Sequence, residues 1–146
     1  MRPDQNPLIL IAEDNPDHAF LLVEALAEAG MPHVIHACNG VECISRLGIA
    51  QHNVDLQQPF PDLLLLDIRM PRMDGIEVMK RIRQASLALP VLVMSTSAEL
   101  HDVESMRRMG AQGYVRKPSS FDGYVRFAWQ LGSWWQEGAP LPNDHV

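Results

Sequence analysis

A chain of 146 residues with 47% apolar content is large enough for one domain with a two-sided core. It has no apolar run of roughly 18 residues to cross a membrane. The formal charge of −6 argues against a nucleic-acid-binding domain. Cys38 and Cys43 have no companion His or Cys at zinc spacing and read as ordinary reduced thiols. Residues 1–7 form an N-terminal extension without the hydrophobic region of a secretory signal, so a cytoplasmic location is expected.

In chain order, Leu8-Ile9-Leu10-Ile11-Ala12 is the first apolar run and ends in two acids, Glu13 and Asp14. Asn15 and Pro16 then open a helix, as an N-cap and a first-turn proline do, and Gly30 closes it. Val34-Ile35-His36-Ala37-Cys38 is a second strand, with a helix expected over 41–47. Residues 48–61 exceed the usual length of such a connection and are expected to form a partly ordered excursion at the amino end of the next strand. That strand, Leu63-Leu64-Leu65-Leu66, reads as buried on both faces, as in a parallel sheet covered by helices, and it runs into Asp67. A third helix starts near Gly75 and turns Ile76, Val78, Met79 and Ile82 inward. Pro90-Val91-Leu92-Val93-Met94 is a fourth strand ending in Ser95-Thr96-Ser97. The helix after it, over 99–109, carries few apolar residues and is expected to shift easily. Tyr114-Val115-Arg116 is a fifth strand ending in Lys117-Pro118.

The last helix, over 120–136, has more apolar surface than one core contact needs. At 100° per residue, Phe121, Val125, Ala128 and Trp135 make one stripe, with Trp129 at the far margin. Tyr124, Phe127, Leu131 and Trp134 make a second, expected to form a dimer or partner surface. Residues 8–137 thus read as one domain and 138–146 as a flexible tail.

Each apolar run that ends in a polar group delivers it to the carboxyl edge of a sheet, where open α/β folds place their ligands. The inventory of three acids, a hydroxyl and an ammonium suits a magnesium-assisted phosphoryl site. Magnesium takes one or two carboxylates from a protein and completes its octahedron with water and phosphate oxygens. Asp14 and Asp67 would hold the ion and Glu13 would act one water further out. Asp67 would be the nucleophile, since carboxylates form aspartyl phosphates. Lys117 supplies a point charge for the phosphoryl oxygens, and Ser95 a hydroxyl donor, with Thr96 as its competitor. A simpler reading makes Glu13 and Asp14 helix-capping acids, but capping does not account for Asp67 and Lys117 at neighbouring strand ends. The six histidines are scattered and read as surface or packing residues.

Glu13-Asp14, the segment from Asp67-Ile68-Arg69-Met70-Pro71 to Met73-Asp74-Gly75, Ser95, and Gly113-Tyr114-Val115-Arg116-Lys117-Pro118 together resemble the motifs of a response-regulator receiver domain, over residues 8–135. The resemblance implies a doubly wound, flavodoxin-like (βα)5 fold with a five-stranded parallel sheet in the order 2-1-3-4-5. It implies phosphorylation of Asp67 by a histidine kinase, with Mg2+ as cofactor, Mn2+ as a substitute and Ca2+ as a stand-in in crystals. The backbone carbonyl of Arg69 becomes a further metal ligand while its side chain points out, Tyr114 a ring that moves inward with Ser95, and Lys117-Pro118 a cis peptide. The long second connection and the aromatic last helix resemble the small regulators paired with phytochrome-type kinases. A homodimer through the fourth and fifth helices is expected, with no membrane or nucleic-acid partner, and the chain is expected to be a stand-alone receiver that is not an enzyme in its own right.

In this family the residues two after the acceptor acid and two after the switch hydroxyl govern water attack on the phosphoryl group. Here they are Arg69 and Ser97, neither an acid nor an amide, so a long-lived phosphoryl group is expected. A relay role, passing phosphate to a histidine phosphotransfer protein, is the main alternative. A phosphatase using Asp-x-Asp-x-Thr is disfavoured because Arg69 stands where its second acid belongs. Neither a P-loop nor Gly-x-Gly-x-x-Gly is present, which disfavours a nucleotide-binding enzyme.

Overall fold

A computed structural model describes residues 6–49, 59–96 and 100–144. Among them, strands and helices alternate as β1 (Ile9–Ala12), α1 (Pro16–Glu28), β2 (Val34–Ala37), α2 (Gly40–Arg46), β3 (Leu63–Asp67), α3 (Gly75–Gln84), β4 (Val91–Ser95), α4 (Leu100–Arg108), β5 (Gly113–Arg116) and α5 (Phe121–Glu137). The strands pair in parallel in the order β2-β1-β3-β4-β5, the topology the resemblance implies.

The leucine run explains the layering. Successive side chains on a strand point to opposite faces. Leu64 and Leu66 therefore join one core cluster with Cys43 and Ile44 of α2, Val78 and Met79 of α3, and Val103 and Met106 of α4. Leu63 and Leu65 join another with Leu22 and Leu26 of α1 and Tyr124, Phe127 and Leu131 of α5. All four leucines are at most 1% exposed, and each such burial stabilises by about 1.5–3 kcal/mol.

Helix starts follow their caps. Asn15 Oδ1 accepts from the amides of Asp17 (2.9 Å) and His18 (3.2 Å), with Pro16 in the first turn. Asn39 Oδ1 accepts from Glu42 N at 2.8 Å and starts α2 at Gly40, one residue earlier than expected. Asp74 Oδ1 caps α3 through Glu77 N at 3.0 Å. Gly75 is required there, because a Cβ would lie 2.6 Å from the carbonyl oxygen of Asp67. A side chain at this position would push on the strand end that carries the acceptor candidate.

Two expectations are corrected at the carboxyl end of the chain. Tyr124, Phe127 and Leu131 are 2%, 4% and 0% exposed and face the sheet and α1, and Trp134 is half-buried against the same cluster. The two apolar stripes form one broad face whose middle, 124-128-131-135 with 127, turns inward. What remains outside is Phe121 and Trp129. Within the segment expected to be a flexible tail, the amides of Gly138 and Ala139 instead close α5 on Trp134 O and Ser133 O, and 143–144 lie along β5. Asp144 N donates to Tyr114 O (3.0 Å), Arg116 N to Asp144 Oδ2 (2.8 Å) and Tyr114 N to Asn143 Oδ1 (3.2 Å), while Leu141 joins the core. An unpaired strand edge offers these backbone groups, and the tail satisfies them. Most of the 48–61 excursion, residues 50–58, lies outside the described residues.

Candidate phosphoryl and metal site

The parallel sheet delivers β1, β3, β4 and β5 to one edge, and the side chains just past their ends converge there. Glu13, Asp14 and Asp67 each present a carboxylate oxygen within 4.8 Å of the others. Glu13 is 4% and Asp67 6% exposed, whereas Asp14 faces solvent. Lys117 reaches across from β5, with its Nζ 2.6 Å from Glu13 Oε1 and 3.2 Å from Asp67 Oδ2. Lys117 N also donates to the Ser95 carbonyl at 2.8 Å, which locks the end of β5 to that of β4.

Electrostatics mark Asp67 as the strained member. Its carboxyl pKa is pushed up from 3.8 to about 6, first by burial and then by the neighbouring charge of Glu13 and a hydrogen bond between the two carboxyl groups. The Lys117 ammonium and the Arg69 amide, 3.2 Å from Oδ1, oppose this without cancelling it. A divalent cation among three convergent carboxylates would relieve the repulsion, so the donor set fits a hard oxygen-seeking ion.

Ser95 is 1% and Tyr114 3% exposed. A hydrogen bond joins their side chains; burial raises the tyrosine pKa and this bond opposes the rise. The ring expected to move inward is thus already inside. Thr96, the competing hydroxyl, is exposed, and Ser97 lies outside the described residues. The Lys117-Pro118 peptide is trans, as are all peptide bonds among the described residues. This corrects the expected cis bond: trans is the ordinary preference of an X-Pro bond, and Lys117 reaches Asp67 with it.

Two site residues escape the sequence reading. His18, four residues after Asp14 in the first turn of α1, places Nδ1 3.1 Å from Lys117 Nζ and 3.9 Å from Glu13 Oε1. Burial and then the Lys117 charge lower its pKa. An ammonium only donates, so at this distance Nδ1 is the accepting nitrogen. Reading the histidines as surface or packing residues leaves out the single helical turn that brings His18 back to the acids. Lys117 thereby gives its three ammonium protons to three acceptors, Asp67, Glu13 and His18. The second missed residue is Asp102 of α4, 4% exposed, whose Oδ2 accepts from Arg69 Nη2 at 2.8 Å. The Arg69 side chain does leave the acid cluster, as expected, but it ends on α4.

The family model described as response regulator receiver domain matches residues 9–126. The DNA-binding transcriptional regulator NtrC of Escherichia coli K12 is 32% identical over 133 residues, 91% of this chain and 26% of NtrC. PhoP of Bacillus subtilis, a regulator of alkaline phosphatase synthesis, is 33% identical over 79% of this chain and 44% of its own. The chain therefore spans between about a quarter and under half of these relatives. Among solved structures, the phosphorylated cyanobacterial phytochrome response regulator RcpA matches with TM-score 0.81 and 30% identity over 95% of this chain and all of that one. RPA3017, a regulator in red light signalling of R. palustris, matches with TM-score 0.79 and 28% identity over 94% and 99%. The Mn2+-bound form of response regulator Rcp1 matches with TM-score 0.77 and 29% identity over 93% and 99%.

Proposed function

The chain belongs to the response-regulator receiver family, whose members are phosphoacceptor switches served by histidine kinases, and we propose that Asp67 is its acceptor. The observation that carries this is the Lys117–Asp67 contact at 3.2 Å beside Glu13 and Asp14. It puts a nucleophilic carboxylate, an ammonium and two further acids within one coordination sphere's width.

Asp14 and Asp67 would ligate Mg2+ directly, Glu13 through water and Arg69 through its backbone carbonyl. Mn2+ would substitute, and Ca2+ would bind without the same octahedral preference. When bound, the ion neutralises charge on the transferring phosphoryl group. The chain's own residues do the rest. A carboxylate oxygen of Asp67 attacks phosphorus in line, the bond from phosphorus to the kinase's histidine nitrogen breaks, and the imidazole leaves with that electron pair. Lys117 then exchanges one acceptor for a phosphoryl oxygen. His18 is the neutral one of its three acceptors and the least costly to give up. Ser95 turns its hydroxyl from Tyr114 toward another oxygen, so the tyrosine registers the phosphoryl state through the bond it loses.

We place the kinase in the phytochrome class, an assignment supported by the likeness to RcpA and RPA3017 along almost the whole chain. A homodimer through α4 and α5 would use Phe121 and Trp129 on α5 in place of the buried stripe. The test is phosphotransfer from kinases preloaded with labelled phosphate, in Mg2+. One kinase should label the chain rapidly, Asp67→Asn should abolish labelling, and labelling that survives Asp67→Asn excludes Asp67 as the acceptor.

A further inference from the structure

The phosphoacceptor chemistry leaves one buried charge without a role. Asp102, in the first turn of α4, is 4% exposed, and a carboxylate buried this far is retained only with a partner. Its partner is Arg69, through an Nη2–Oδ2 contact of 2.8 Å. The same arginine donates its backbone amide to Asp67 Oδ1 at 3.2 Å. One residue therefore holds the acceptor carboxylate with its main chain and α4 with its side chain. That side chain is 58% exposed, so nothing packed over it prevents it from turning. The planar fork that fits a carboxylate also fits phosphoryl oxygens.

Resting on the reading of Asp67 as acceptor, we propose that Arg69 has two seats, the Asp102 carboxylate before phosphorylation and the phosphoryl oxygens after it. Asp102 is then the positioning residue that couples phosphoryl lifetime to the placement of α4. The seats are exclusive because there is one guanidinium. When it leaves, Asp102 cannot stay buried alone, and the first turn of α4 must carry it to water. In its second seat the guanidinium covers phosphoryl oxygens and obstructs water, so occupancy of that seat prolongs the modification. Coupling of this kind is reciprocal. A partner that holds α4 with Asp102 turned outward releases Arg69 to the phosphoryl group and lengthens its life.

The experiment uses the full chain, acetyl phosphate as donor, and Mg2+, with decay of the acyl phosphate followed after the donor is removed. Asp102→Asn frees Arg69 with little change of shape and should lengthen the half-life by about threefold or more. Arg69→Met should remove that effect, so Asp102→Asn combined with Arg69→Met should decay at the rate of Arg69→Met alone. The double variant also provides a folded reference without an orphaned charge. Amide exchange over 100–108 should quicken when beryllium trifluoride is added to the unaltered chain, and should not respond in the double variant. An unchanged half-life in Asp102→Asn, or lengthening that persists without Arg69, overturns the two-seat arrangement. An unaltered chain that takes no label, or label retained after Asp67→Asn, removes Asp67 as acceptor and this inference with it.

Discussion

Helices α4 and α5 pack on opposite faces of the sheet, and different forces hold them. α5 buries Tyr124, Phe127, Ala128, Leu131 and Trp135, is capped by Ser120 and stops at Gly138 in a left-handed conformation. α4 sends Val103 and Met106 into the core and adds a buried acid whose partner comes from the loop after β3. Burial of apolar surface has no second minimum to fall into, whereas an ion pair can be exchanged for another ion pair. Under the two-seat arrangement proposed for Arg69, α5 is scaffold and α4 is switch, because α4 is held by a kind of contact that a phosphoryl group could replace.

The largest loss is expected at Leu131, which is fully buried between α5 and the sheet. Leu131→Ala should cost about 2–5 kcal/mol. The loss should appear as a lower urea midpoint for the whole domain with an unchanged slope. A loss confined to local exchange in α5, with global unfolding unaltered, would show that α5 is no better anchored than α4.

Much of this contrast was legible in the sequence, and the part that was not has a definite cause. Periodicity and caps placed all five β-α units, because strand and helix patterns are local. Glu13, Asp14, Asp67 and Lys117 were visible because strand ends in a parallel sheet share one edge. In the sequence Asp102 is one more polar residue on a polar helix, since burial of an acid depends on which loop packs over it. The pattern of α5 alone does not decide its inward face: residues of both stripes turn in, and packing against α1 and the sheet selects them. His18 was reachable from the one-turn spacing alone.

A smaller effect is expected at Asp67. Its folded-state pKa, about 6, lies above the ordinary 3.8. Between those pH values the folded chain binds more protons than the unfolded one, so this group's contribution to stability falls as pH rises through the window. Above about pH 6 the penalty is fully present. A rise of this size sets a ceiling of about 3 kcal/mol, and screening at the open side of the site reduces it to about 1–2 kcal/mol. Asp67→Asn should therefore raise the metal-free melting temperature at pH 7 and flatten its dependence on pH between 4 and 6. Mg2+ should stabilise the unaltered chain and do so less for Asp67→Asn. A metal-free Asp67→Asn less stable at pH 7 than the unaltered chain would show that Lys117 outweighs Glu13.

The smallest change is expected on the outer face of α5. Trp129 is 56% exposed on α5 and outside its packed face, so Trp129→Ser should leave monomer stability within about 0.5 kcal/mol. An aromatic side chain held in water at that cost is expected to serve an interface. If α5 contributes to a homodimer, sedimentation of the phosphorylated chain should show a dimer weakened by Trp129→Ser, while phosphoryl uptake from acetyl phosphate stays the same. An unaltered association constant would confine the dimer contacts to α4 or eliminate them. In that case α5 is scaffold on both of its faces, and the switching surface is left to the helix that Arg69 holds.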